Sequence, residues 1–176
     1  MKKIALLLVF LMGAAFTSQA RDTELSVSYG ASPAMNHLGA YRNDWNGLDG
    51  WGALNLTIDH RFAPALWIGL NYTYSSADSD HAWDGRYGKV VWHGVMVNVR
   101  YEWYQRAGLK LYSHVGIGAL VEYYCPSWKP DYNHTNMAFQ LSPVGVEYDV
   151  IPAVGLFAEA GYGCQGVAKV GIRVGF

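Results

Sequence analysis

From Leu25 to the last residue the chain alternates apolar and polar positions with a period of two. The final stretch is the clearest: Ala168, Val170, Ile172, Val174 and Phe176 make one face, and Val167, Lys169, Gly171, Arg173 and Gly175 the other. Such a strand turns one face to an apolar medium and the other to a polar one. Eight segments of this kind can be read. Leu25–Ala31 and Gly52–Ile58 are the first two. In the third, Leu66, Ile68, Leu70, Tyr72 and Tyr74 alternate with Trp67, Gly69, Asn71, Thr73 and Ser75. The fourth runs from Val91 to Trp103 and the fifth from Leu109 to Tyr123. The sixth, Ala138–Tyr148, slips phase at Pro143, which has no N–H to give a ladder, so a bulge is expected there. Val154–Tyr162 and the C-terminal strand complete the set.

The connections alternate too. Long polar stretches, Ser32–Asp49, Ser76–Gly88 and Tyr124–Asn136, take turns with short ones at Arg61–Pro64, Gln105–Gly108 and Asp149–Pro152. A soluble β-sandwich has no reason to keep that beat. A membrane barrel does, with short turns on one side and longer loops on the other. The expected fold is therefore all-β: a closed, eight-stranded antiparallel transmembrane barrel over residues 21–176. Before it, Met1-Lys-Lys, the apolar run Ile4–Phe16 and Ser18-Gln19-Ala20 read as a signal peptide over residues 1–20. The apolar run is shorter than the ~20 residues a membrane helix needs.

Composition agrees. Hydrophobic residues make up 51% and charged ones only 15%, with 7 Trp, 13 Tyr and 20 Gly. Removing residues 1–20 takes two lysines and no acid. That leaves eleven basic against fourteen acidic residues, a formal charge of −3, which argues against nucleic acid as a partner. The polar faces carry Glu24, Asp59, Arg100, Glu102, Lys110, Glu122, Glu147, Glu159, Lys169 and Arg173. An eight-stranded barrel is just wide enough to be filled by its own side chains. Charges inside it must pair, so a network of Arg100, Glu122, Glu147, Glu159, Lys169 and Arg173 is expected to plug the lumen, with Glu159 beside Lys169 or Arg173.

These features resemble the small outer-membrane barrel superfamily of OmpA, OmpX and opacity-type proteins. Gln140-Leu-Ser-Pro-Val-Gly-Val-Glu147, Phe157-Ala-Glu-Ala-Gly-Tyr-Gly163 and the final strand are closest in flavour to the small barrels of Bacteroidetes. The resemblance implies a bacterial outer-membrane location with both termini periplasmic. It also implies outer-membrane lipids and lipopolysaccharide as surroundings, and a barrel-assembly machinery that reads Phe176 as an insertion signal. It implies no cofactor. Members differ widely in activity, so the fold transfers and the function does not.

Some such barrels are enzymes on lipid A that use His and Ser near the membrane face. Here the pair would be His93 and Ser113. Pairing His93 opposite Ala119 separates them by roughly 20 Å at ~3.3 Å per residue, beyond the hydrogen-bond reach a nucleophile and base need. A non-enzymatic barrel with a structural or adhesive role is the reading, and a lipid A deacylase or acyltransferase the alternative. Asp78, Asp80 and Asp84 miss the Ca²⁺-loop spacing and read as a solvated loop. Trp45, Trp83, Tyr87, Trp128 and Tyr132 stand in the long connections as candidates for recognising a host or surface ligand. Cys125 and Cys164 both begin long-side connections, so a disulfide across the rim is expected if one loop folds inward.

The signal-peptide reading makes a direct prediction. N-terminal sequencing of the protein isolated from membranes should begin at Arg21, and an intact Met1 would refute cleavage.

Overall fold

The computed structural model describes residues 22–36, 48–81, 86–126 and 130–176, so the segment 1–20 lies outside the described residues. Eight antiparallel strands close into a barrel in sequence order: β1 Thr23–Ala31, β2 Leu48–Ala63, β3 Leu66–His81, β4 Arg86–Arg106, β5 Leu109–Pro126, β6 Tyr132–Ile151, β7 Val154–Gly163 and β8 Ala168–Gly175. The seam is the ladder between β1 and β8, from Glu24 opposite Gly175 to Ala31 opposite Ala168. Beyond it, Phe176 and Thr23 exchange two backbone hydrogen bonds of 2.9 and 3.3 Å.

One end of the barrel holds both ends of the described chain and three tight turns, at Pro64-Ala65, Ala107-Gly108 and Pro152-Ala153. Ala107 and Gly108 have φ of 49° and 82°, the paired left-handed conformation whose twist matches a two-residue hairpin. We call this the turn end and the opposite one the loop end. The predicted bulge is present: pairing slips between Leu141 and Val144 on β6, and the Ser113 hydroxyl donates to Pro143 O at 2.7 Å. A second bulge skips Trp103 on β4. A third lies at Gly50–Ala53, where Gly52 takes a φ of 114° and an added Cβ would fall 2.7 Å from Gly30 O.

Alternation divides the wall cleanly. Leu54, Leu56, Ile58, Leu70, Val95, Val97, Ile117, Val146, Leu156, Val170 and Ile172 point outward and are exposed. This belt is flanked toward the turn end by Phe62, Tyr101, Trp103, Tyr104 and Tyr148, and toward the loop end by Tyr29, Trp51, Tyr72, Tyr123 and Tyr162. Two aromatic girdles around an apolar band are what a hydrocarbon slab selects.

The strands are unequal, and here the structure corrects the loop assignment. The β1, β7 and β8 strands have 9, 10 and 8 residues, close to the ~9–11 a membrane strand needs. The β3, β4, β5 and β6 strands have 16, 21, 18 and 20. Much of Ser76–Gly88 and Tyr124–Asn136 is therefore hairpin rather than loop; Asp78 faces Lys89 and Tyr124 faces Tyr132. The apolar period fades there because a strand standing in water needs no greasy face. Among the described residues β1 pairs with β2 up to Gly30 and β7 reaches β6 up to Phe139, and β2–β6 rise beyond them as a five-stranded sheet.

Deleting Phe176 removes the last reciprocal bond pair of the seam, where every backbone group must be satisfied within the wall. The folded, heat-modifiable fraction in membranes should fall further than for Tyr132→Ala. Equal fractions would contradict this.

Candidate functional site

Two places gather chemistry: the lumen and the head of the projecting sheet. The lumen has two storeys. Toward the turn end all ten of the inward charges named above except Glu122 are buried together. Glu147 is the hub. Its carboxylate takes Lys110 Nζ at 2.9 Å, Arg100 at 3.4 Å and Arg173. Glu24 binds Arg100 and lies 3.5 Å from Arg173 Nε, and Glu102 lies 3.4 Å from Arg100. Aromatic faces complete the packing: Arg100 sits 4.6 Å over Trp67, and Arg173 4.5 Å over Phe157. These contacts explain how guanidinium groups are tolerated in a dry interior, since a flat delocalised cation loses less on leaving water than an ammonium does.

One step higher, Glu159 pairs with Lys169 at 2.8 Å, as cross-strand neighbours do, and accepts from the Tyr112 hydroxyl at 3.0 Å. His114 Nδ1 lies 3.1 Å away. Arg173, the other expected partner of Glu159, goes to Glu147 and Glu24 instead. Above lies a neutral lattice. Thr73 Oγ1 donates to Asn55 Oδ1 at 2.7 Å, and Asn55 donates to Gln165 O at 3.2 Å. Gln165, from the β7–β8 turn, is fully buried and accepts from Lys169 at 2.6 Å. The cavity left among Ser26, Thr57, Asp59, Asn98, Arg100 and His114 is about 10 Å³, the space of one water.

The upper storey is apolar: Met35, Ala53, Ala77, Val90, Trp92, Met96, Leu120, Tyr124 and Ala138 pack together, with Met35 folded in from the segment after β1. Tyr112, His114, Gln140, Gln165 and Met35 escaped the sequence reading. The first three sit on inward positions whose parity was legible; Gln165 and Met35 leave their strands before turning inward and carry no periodic signal.

Glu122 does not join the charge network. It stands eight residues above His114 on β5, about 26 Å along the strand at ~3.3 Å per residue. Neutral donors hold it: Trp92 Nε1 at 3.3 Å and Tyr124 Oη at 2.8 Å.

The disulfide does not form: both cysteines are free, Cys125 exposed and Cys164 buried. The premise of equal height fails. Cys164 N bonds Phe139 O, and Phe139 faces Ile117, so Cys125 rides eight residues higher on the longer β5, again about 26 Å. Burial also pushes the Cys164 thiol up from its ordinary pKa, which keeps it a poor nucleophile. His93 and Ser113 are likewise farther apart than expected. The hairpin reverses at Ala107-Gly108, nearer its C-terminal side than expected, so His93 faces Val121 and Ser113 faces Tyr101, eight residues away. His93 Nδ1 lies 2.7 Å from the Tyr72 hydroxyl, on the outer face of the wall. This pair is not a nucleophile and base.

Of the loop aromatics, Trp45, Trp83 and Trp128 lie outside the described residues, and for Tyr87 only its backbone pairing with Asp80 is described. Tyr132 is described. It stacks on Tyr124 with ring centroids 4.8 Å apart and planes 7° from parallel. Among the described residues no group of His, Cys, Asp and Glu is arranged to hold a metal.

No protein-family model and no curated protein sequence matches the chain. Solved structures do. Neisserial surface protein A aligns over 88% of this chain and 96% of its own, with a TM-score of 0.56 and 14% identity. The N-terminal β-barrel domain of Pseudomonas aeruginosa OprF aligns over 90% and 100%, at 0.53 and 13%. The Yersinia pestis outer-membrane protein Ail in a bilayer nanodisc aligns over 89% and 100%, at 0.50 and 11%. The chain has the fold of the small eight-stranded outer-membrane barrels. The Bacteroidetes flavour of the resemblance finds no support among these three.

The hub makes a quantitative prediction. Glu147→Ala leaves Arg100, Lys110 and Arg173 without their shared anion, and stranding buried charges costs roughly 3–5 kcal/mol. Denaturant unfolding of the refolded barrel in vesicles should show that loss, and a change below about 1 kcal/mol would contradict a buried hub.

Proposed function

We propose that this protein is a non-enzymatic barrel of the bacterial outer membrane, whose projecting sheet recognises a ligand outside the cell. In this reading residues 1–20 direct export and are cleaved. The barrel-assembly machinery inserts residues 21–176 with both termini in the periplasm. Phospholipid and lipopolysaccharide then surround the apolar band, and the loop end faces outward.

The height of the wall carries the proposal. The β7, β8 and β1 strands stop near the loop-end girdle, which is all that crossing a membrane requires. The β3 strand continues nine residues past Tyr72 of that girdle, about 30 Å of strand at ~3.3 Å per residue. Ordered backbone that far above a bilayer contributes nothing to spanning it. The packing of the lumen supports the same reading: among the described residues the charged storey keeps a cavity of about one water. What the sheet presents is paired strands and inward aromatics, the kind of surface on which recognition residues are held in place.

The test compares a non-adherent bacterial strain producing the native protein with one producing a variant whose hairpin heads, residues 78–89 and 124–133, are replaced by two-residue turns. At matched folded levels, the native protein should raise adherence to host-cell monolayers or immobilised matrix, and the trimmed barrel should not. Equal adherence by the two strains would overturn the proposal.

A further inference from the structure

Across the outer face of β1–β5, at the loop-end girdle, rings run from strand to strand without a gap. Between centroids, Tyr29 lies 6.1 Å from Trp51, Trp51 6.2 Å from Tyr74, Tyr74 5.4 Å from His93 and His93 5.6 Å from Tyr123. Tyr72 joins one step lower, 6.1 Å from His93. We infer that this strip binds one phosphorylated glucosamine lipid, of the lipid A class, in preference to glycerophospholipids. The inference rests on the proposed outward orientation of the loop end and names the lipid that this wall selects.

The six rings share one face. Their chain neighbours Ser28, Gly52, Thr73, Trp92 and Glu122 are buried on the inward side. The strip is also held in place. The Tyr29 hydroxyl donates to Trp51 O, and Trp51 Nε1 donates to Ser76 Oγ at 3.0 Å. The Tyr72 hydroxyl lies 2.7 Å from His93 Nδ1, which leaves the other ring nitrogen for a ligand. On β6–β8 the ring contacts of this girdle among the described residues come down to Phe139 and Tyr162, 6.0 Å apart. Anchoring at a membrane boundary is served by aromatics all round the rim. A fixed strip concentrated on one wall offers a surface to one molecule.

The order of chemistry up the wall matches that molecule. Below the strip Leu70, Val95, Val97 and Ala119 are exposed on the same face, continuous with the apolar belt, and suit acyl chains. The rings come next. A glucosamine ring carries a patch of C–H groups that an aromatic face attracts, and a glycerol head has no such surface. The Tyr74 and Tyr123 hydroxyls make no hydrogen bond among the described residues and flank His93, so donors for sugar and phosphate oxygens stand side by side. Four residues above His93, about 13 Å along β4 at ~3.3 Å per residue, Lys89 is exposed on the same face.

Two carboxylates share that height. Asp78 lies opposite Lys89 in the ladder, and Asp49 opposite Asp78. Among the described residues Lys89 is in no ion pair; residues 37–47, 82–85 and 127–129 lie outside them. Carboxylate and phosphate oxygens both ligate Mg²⁺, so these acids do not exclude a phosphorylated lipid that carries such counterions.

The test is native mass spectrometry of the mature barrel in detergent with Mg²⁺, titrated with lipid A, phosphatidylglycerol or phosphatidylethanolamine. One lipid A should be retained at a concentration about tenfold below that needed for either phospholipid, the scale of one good aromatic contact. The double variant His93→Ala, Tyr123→Ala should bind lipid A no better than phospholipid. Tyr162→Ala, in the same girdle on β7, should keep the preference. Both variants are checked for heat-modifiable folding. No preference in the native barrel overturns the inference, as does a preference unchanged in the folded double variant or lost equally in Tyr162→Ala. Displacement of lipid A by inorganic phosphate also overturns it. Orientation is read separately, with an epitope in the β3–β4 connection and antibody on intact cells. An epitope reached without any lipid A preference leaves the outward loop end standing and the lipid site alone falls. An epitope reached only after lysis removes the orientation and the outer-leaflet lipid together.

Discussion

Hydrocarbon offers a backbone no hydrogen bonds, and most of this molecule follows from that constraint. A sheet that faces lipid cannot leave an edge, so β1 must find β8. The reciprocal bonds between Thr23 and Phe176 secure that seam to its last residue. Closing with eight strands sets the radius, and the radius sets the interior. Every second side chain then points into a space too narrow for solvent. Those residues must fill it, and any charge among them must meet its opposite.

The two storeys of the lumen are two answers to that demand. Near the turn end, Glu147 and Glu159 each gather more than one partner, and Trp67, Tyr112 and Phe157 cover the guanidinium faces. Near the loop end, Trp92, Met96 and Leu120 exclude water around the Glu122 carboxylate, which neutral donors hold, and Met35 packs into the same cluster. Gln165 joins the two, with its main chain held by Asn55 and Gln140 and its side chain by Lys169. Burial of this kind is costly to assemble and more costly to break singly, which favours a lumen that stays shut.

Above the loop-end girdle the constraint relaxes. Water satisfies backbone groups that lipid cannot, so β2–β6 run on where β1, β7 and β8 stop. The same release frees side chains from the apolar-out rule, and polar residues occupy both faces of the wall.

The reach of the sequence ends at the same boundary. Within the membrane band, lipid on one side and a filled lumen on the other impose strict parity. The eight strands, the Pro143 bulge and the burial of Arg100, Glu147, Glu159, Lys169 and Arg173 were therefore readable from alternation alone. Which acid meets which base was readable only for adjacent short strands, as with Glu159 and Lys169. Glu147 meets Arg100 and Arg173 from strands it does not adjoin, because a lumen this narrow brings distant strands together. Height was illegible as well. Parity tells inside from outside but not how far a strand continues, so Cys125 and Cys164 looked level when β5 carries one of them eight residues above the other. The place of the β4–β5 turn, at Ala107-Gly108, likewise put His93 opposite Val121 rather than Ala119. Alternation is local and decided the faces; closure and register are properties of the whole barrel and decided the neighbours.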